Sequence, residues 1–154
     1  MDKFKSTLSF EHFLVTDIVF KLNYKYNADS LDATPISCRF DISHHNVEQD
    51  PNRIMVSINT KLFNEEFTET DNPFYLSVTL NGYFKLDKPF EGNSGDSEKL
   101  LKTNTVAILF PYVRSIITNI TSQANIPPVI LPPVNTFKLM EESQNKERAQ
   151  ETPQ

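Results

Sequence analysis

Phe74-Tyr75-Leu76-Ser77-Val78-Thr79-Leu80-Asn81-Gly82-Tyr83-Phe84-Lys85-Leu86 alternates from end to end. Successive side chains of an extended chain point to opposite faces. This segment therefore reads as a strand with Phe74, Leu76, Val78, Leu80, Phe84 and Leu86 on a dry face and Ser77, Thr79, Asn81 and Lys85 on a wet one. Toward the N-terminus the same period recurs. Ile54, Val56, Ile58 and Leu62 oppose Ser57, Asn59 and Lys61; Ile36, Cys38, Phe40 and Ile42 oppose Ser37, Arg39, Asp41 and Ser43; Ile18, Phe20, Leu22, Tyr24 and Tyr26 oppose Val19, Lys21, Asn23 and Lys25. Short polar connections between the runs favour antiparallel pairing, because parallel neighbours need long crossovers. Ahead of Ile18 the alternation breaks at Leu8, Phe10, Phe13 and Val15, which either extend the first strand or bend around its edge. A sheet with one dry face needs a cover.

Past Gly95 the period changes. Leu109, Val113, Ile116, Ile117, Ile120 and Ala124 form a helical stripe, which predicts a helix from about Glu98 to Gln123. Pro111 lies inside it and predicts a bend, or a break near Asn104–Leu109. The stretch is rich in Val, Ile and Thr, so the helix depends on tertiary packing rather than propensity. Its other side carries Ser115, Thr118, Asn119 and Ser122, and no charged residue occurs from Ser115 through Phe137. Exposed helix faces normally carry charge, so these four positions are expected to form an oligomer interface, with a second copy of the helix against them.

Ile126-Pro127-Pro128-Val129-Ile130-Leu131-Pro132-Pro133-Val134 follows. Paired prolines exclude helix and hold the backbone extended, so aliphatic side chains ride on a stiff strap. A short helix is expected around Phe137–Glu142. From Glu141 onward no large apolar residue remains, as in a disordered tail or the solvated end of a helix. The fold class is α+β: a four-stranded antiparallel sheet covered by a long C-terminal helix, then a Pro-rich connection and a short helix. Residues 1–140 make one domain and 141–154 a polar tail.

The chain has 154 residues, with a formal net charge of −5. An acidic balance argues against nucleic acid as a partner. No apolar run is long enough for a membrane span and no secretory signal is visible, so a cytoplasmic protein is expected. The single cysteine, Cys38, excludes an internal disulfide and lies on a dry strand face, as a structural thiol would. His44 and His45 are adjacent on a strand and cannot share a ligand site. Glu65, Glu66 and Glu69 read as a solvated turn, and the sequon at Asn119 lies inside the expected helix. There is no phosphate-binding loop, and three glycines leave little for one. A binding protein without cofactor or metal, not an enzyme, is the expectation.

Ala107-Ile108-Leu109-Phe110-Pro111-Tyr112, then Arg114, Ile117-Thr118 and Ser122, then Pro127, Leu131 and Pro133-Val134-Asn135 carry a resemblance. This stretch resembles the SecB family of export chaperones, whose C-terminal half has an Ile-Leu-Phe-Pro-Tyr-x-Arg helix followed by a Pro-x-x-Leu-x-Pro-Val-Asn strap. The resemblance implies a homotetramer that binds unfolded or partly folded chains without ATP. Export members pass those chains to the SecA motor ATPase, and others protect an antitoxin in toxin–antitoxin systems. It also implies a client groove lined by Ile126, Val129, Ile130, Leu131, Phe137, Leu139 and Met140, with Phe74, Tyr83 and Phe84 as flanking candidates. Export members meet the motor through acids on the outer sheet face, whereas no acid stands between Phe74 and Leu86 here. Holding of non-native chains is thus better supported than a link to the motor. A scaffold that binds one folded partner is the competing class.

Overall fold

The computed structural model describes residues 8–26, 35–67, 72–92 and 95–151. Strands β1 (Leu8–Leu22), β2 (Cys38–Val47), β3 (Asp50–Leu62) and β4 (Phe74–Leu86) precede helices α1 (Asp96–Gln123) and α2 (Thr136–Glu151). All neighbours are antiparallel and the order is β1-β4-β3-β2, so the most apolar strand lies inside the sheet. The expected architecture is present, and the strand order, which alternation cannot reveal, is now defined.

The dry faces of β3 and β4 are as the alternation predicts. Ile54, Val56, Ile58 and Leu62 face α1 beside Leu76, Val78, Leu80 and Phe84, and from the helix come Val106, Leu109, Val113 and Ile117, all essentially inaccessible. Full burial of each such side chain contributes about 2 kcal/mol, which holds together a helix of poor intrinsic propensity. At Gly82 the side chain of Leu109 occupies the space that a Cβ would take. A Cβ there would lie 2.4 Å from Leu109 Cδ2 and 2.6 Å from Cδ1.

β1 explains its own broken pattern. The strand begins at Leu8, and its register against β4 shifts between Phe10 and His12 and again between Val15 and Asp17, leaving Glu11 and Thr16 as the extra residues. Each bulge inverts the parity, so Phe10, Phe13, Val15, Ile18 and Phe20 all fall on the helix side, opposite Phe84, Gly82, Leu80, Val78 and Leu76. The first bulge also re-aims Glu11. Its carboxylate reaches past β4 to Arg53 on β3, accepting from Nε at 2.9 Å and from Nη2 at 3.0 Å. The strand stops at Leu22, short of the alternating run to Tyr26. Asn23 is buried, donates its N–H to Pro73 O at 3.0 Å and its Nδ2 to Asn72 O at 2.9 Å, and accepts Lys25 N–H at 3.1 Å, which closes a turn. β2 likewise starts at Cys38, two residues after the exposed Ile36.

Of the two outcomes expected at Pro111, a bend or a break near Asn104–Leu109, the break does not form, and the end expected for α2 is corrected. α1 runs unbroken through Pro111. Pro111 and Ala107, whose carbonyl the proline cannot serve, are both exposed, so the helix passes its proline on the solvent side. α2 extends well past Glu142, through the polar residues to Glu151, lying against α1 and β2 on Met140. Residues 152–154 fall outside the described residues.

His44 projects from β2 to the helix side, its Nε2 2.9 Å from Thr105 Oγ1 on α1. The Thr105 hydroxyl donates to Lys102 O at 2.7 Å and therefore accepts from the imidazole. Burial, reinforced by the nearby Lys102 charge, pulls His44 down to about 4 from its ordinary 6.5. The folded state thus favours the neutral ring, and the unfolded chain takes up the proton first. Stability is complete above about pH 6.5 and declines as the pH drops toward 4, by up to about 3 kcal/mol for this residue. Urea unfolding across that window is expected to show the loss, and His44→Gln to flatten it. At the layer contact, Gly82→Ala is expected to lower stability by about 1–3 kcal/mol, with Leu109→Ala in the same chain costing less than the sum of the two single changes.

Candidate functional site

The strap begins with a particular helix ending. Ala124 N–H still reaches Ile120 O, then Asn125 turns left-handed at φ 61, with Asn125 N–H on Ser122 O and Ile126 N–H on Thr121 O. That pair of bonds around a left-handed residue is the Schellman ending, with Asn in the place usually taken by Gly, and it reverses the chain. The strap then runs back along the helix that produced it.

Three side chains of α1 grip it on the way. Thr121 Oγ1 accepts Val129 N–H at 2.9 Å, the Thr118 hydroxyl donates to Val129 O at 2.7 Å, and Arg114 Nε donates to Leu131 O at 2.7 Å. Positions 114, 118 and 121 share one helix stripe, so one face serves successive strap groups. Val129 and Leu131 consequently turn inward to the core, at 6% and 4% exposure, while Ile130 between them stands out at 73%. Pro127, Pro128, Pro132 and Pro133, on either side, are all exposed. Asn135 ends the strap as the cap of α2, its Oδ1 accepting Lys138 N–H at 3.1 Å and its carbonyl accepting Leu139 N–H at 3.1 Å.

The seven residues expected to line a groove therefore separate. Ile130 and Phe137 are exposed, Ile126 and Leu139 are half-buried against the core, and Val129, Leu131 and Met140 lie within it. Phe74 and Phe84 are also core, whereas Tyr83 lies on the opposite sheet face, stacked on His12 at 4.7 Å. Of the four positions expected at an oligomer interface, Ser115, Asn119 and Ser122 are exposed and Thr118 is half-buried, bonded to the strap of its own chain. Arg114 and Thr121 were not anticipated as strap partners. The signal was their spacing with Thr118, opposite a proline-rich segment whose carbonyls cannot be served by neighbouring strand amides.

A shallow notch of about 290 Å³ lies between α1 and the strap, with Pro111, Ser115, Asn119 and Ile130 on its walls. A wider open groove of about 950 Å³ lies at the other end of α1, floored by Leu8, Leu86, Phe90, Leu100 and Ile108. The edge strand β1 also exposes Leu14, Val15, Ile18 and Leu22. Beside it, Tyr112 of α1 packs on Phe10 at 5.7 Å and Phe13 at 4.7 Å. On the outer sheet face, Asp41, Asn59, Thr79 and Asp17 form one row across the four strands, with Asn59 Nδ2 donating to Thr79 Oγ1 at 2.9 Å.

Groups suited to chemistry are dispersed. Among the described residues no three of His, Cys, Asp and Glu gather where they could hold a metal ion. Burial pushes the Cys38 thiol up to about 11, so it stays protonated and unreactive. Glu65 pairs with Lys21 at 2.9 Å, a hydrogen bond that lowers its carboxyl below the usual range, Glu66 is exposed, and Glu69 lies outside the described residues. No helix among the described residues is long and apolar enough to cross a membrane. What the surface offers is apolar contact.

Known proteins share this arrangement. The profile of the family described as SecB, preprotein translocase subunit SecB, matches residues 3–147. An uncharacterized protein of Methanocaldococcus jannaschii is 35% identical over 88% of this chain and 84% of its own. The protein-export protein SecB of Neisseria meningitidis serogroup A is 30% identical over 73% of this chain and 68% of its own. Among solved structures, a SecB-like chaperone of Mycobacterium tuberculosis, in complex with a ChAD peptide from the HigA1 antitoxin, superposes with a TM-score of 0.64, covering 84% of this chain and 91% of that one at 13% identity. At that identity the likeness is one of fold.

The burial contrast along the strap predicts opposite costs for neighbouring residues. Ile130→Ser is expected to leave unfolding stability within about 0.5 kcal/mol of the parent, whereas Leu131→Ala is expected to remove about 2–4 kcal/mol. Denaturant midpoints of the two variants check this.

Proposed function

The chain belongs to the SecB family, and on that footing we propose that it holds unfolded or partly folded polypeptides, without nucleotide, against the apolar surface carried by the strap and the start of α2. The observation that carries this reading is Ile130, a large aliphatic side chain 73% exposed on a segment whose two adjacent residues are locked into the core. A stiff segment has little freedom left to lose when a client settles on it. Apolar contact at about 25 cal/mol per Å² then holds many unrelated sequences weakly and reversibly, with no bond made or broken. Phe137 supplies an aromatic anchor at one end of the same surface, while Ile126 and Leu139 extend it with their accessible edges.

The functional unit is proposed to be a homotetramer in the cytoplasm. The exposed apolar side of β1 and the uncharged outer positions Ser115, Asn119 and Ser122 are where copies would meet. Handover to the SecA motor would use the outer sheet face. That face brings Asp17 and Asp41 to the two ends of one row, but the β3 and β4 positions between them are neutral. Client holding is accordingly the primary activity proposed, with export as its destination.

Light scattering of several unrelated denatured proteins tests the proposal. Stoichiometric amounts of the chain, with no nucleotide, are expected to suppress their aggregation, and the pair Ile130→Asp and Phe137→Asp to abolish most of that protection while the assembly mass stays unchanged. Failure of the unmodified chain to protect any of them, together with tight binding of one native partner, would establish a scaffold instead.

A further inference from the structure

We infer that Thr118 and Arg114 are positioning residues for client binding: their bonds to the carbonyls of Val129 and Leu131 set the strap in the one register that turns Ile130 outward. This rests on the holding function proposed above and adds to it the residues that shape the gripping surface.

The geometry is specific. The two gripped carbonyls belong to the residues immediately before and after Ile130, and both donors come from the same helix stripe, at 2.7 Å each. The Thr118 hydroxyl also lies 3.0 Å from Arg114 O, so the donor is seated between its own helix and the strap. Thr121 completes the grip on the amide side of Val129. An extended segment alternates its side chains, so a slip of one residue along α1 would bury Ile130 and expose Val129 and Leu131. Burial favours the present register, because a one-residue slip would put Ile130 together with a proline, Pro128 or Pro132, into the two buried places held by Val129 and Leu131. The grip on the amide adds to this in one direction, since a slip toward Pro128 would bring Thr121 a nitrogen that has no hydrogen, while Thr118 and Arg114 clamp the strap by the carbonyls on either side of Ile130. The helix face that carries Thr118 and Thr121 is thus in part a template for the strap, and Arg114 reaches the strap from the same stripe.

The test compares the full-length assembled protein with Thr118→Val, Thr118→Ser and Arg114→Met, using reduced, permanently unfolded α-lactalbumin as probe. Assembly mass and thermal midpoint establish that each variant is folded, and amide hydrogen exchange at Val129 and Ile130 reports the strap. Thr118→Val is expected to weaken probe binding about tenfold and to accelerate exchange, Arg114→Met to do likewise, and Thr118→Ser, which keeps the hydroxyl, to restore most of the affinity. Thr118→Val binding as tightly as the parent, despite faster exchange, overturns the inference while leaving the holding function intact. So does a Thr118→Ser variant as weak as Thr118→Val. Absence of probe binding by the parent itself overturns the holding function, and the positioning role with it.

Discussion

Helix α1 lies on the sheet no closer than Leu109 can approach Gly82. That one contact sets the height of everything stacked above. Where every other inward position of β4 from Phe74 to Leu86 carries a large side chain, a missing Cβ lets a leucine sink onto the strand, and Val106, Val113 and Ile117 follow it into the core. α1 has poor intrinsic propensity and no charge from Ser115 to its end, so it is a helix because the sheet receives it. The strap then hangs from α1 and α2 follows the strap. The exposed apolar residues are therefore placed, through two intermediaries, by the spacing of the first two layers.

The fold was legible wherever one residue per pleat held. β4 alternates cleanly and every position of its dry face is buried, as the pattern requires, although Tyr75 and Ser77 on the other face are buried as well. β1 was only half legible, because bulges at Glu11 and Thr16 each invert the parity. A reader who assumes period two sees Phe10, Phe13 and Val15 as disorder in the pattern, whereas the strand uses the extra residues to keep all three on one face. The overrun to Tyr26 has a similar origin. Tyr24 continues the apolar alternation yet is exposed, since the buried Asn23 has already turned the chain through hydrogen bonds to residues about fifty positions away. At Pro111 the sequence left a bend and a break open, and the helix continues through it. A proline breaks a helix where the freed carbonyl is buried, and exposure is not readable from a single residue.

The site was legible as a segment but not residue by residue. Proline pairs announced a stiff apolar strap, and the family resemblance nominated Ile126, Val129, Ile130 and Leu131 on it without distinguishing them. Burial divides them, because an extended strap has two sides and α1 claims one. The uncharged face of α1 carried a real signal of contact, and at Thr118 part of that contact is with the chain's own strap rather than another copy. Arg114 and Thr121 escaped notice because their partners are backbone atoms, which have no letter in a sequence.

Gripping the strap by its backbone has a consequence for how this protein can diverge. Carbonyls and amides are common to all side chains, so the residue at position 130 contributes nothing to the bonds that display it. It can drift to a larger, smaller or aromatic type with the core, the clamp and the turn at Asn125 left as they are. Preference for cargo and robustness of folding are thereby assigned to different atoms, and selection can tune one without taxing the other.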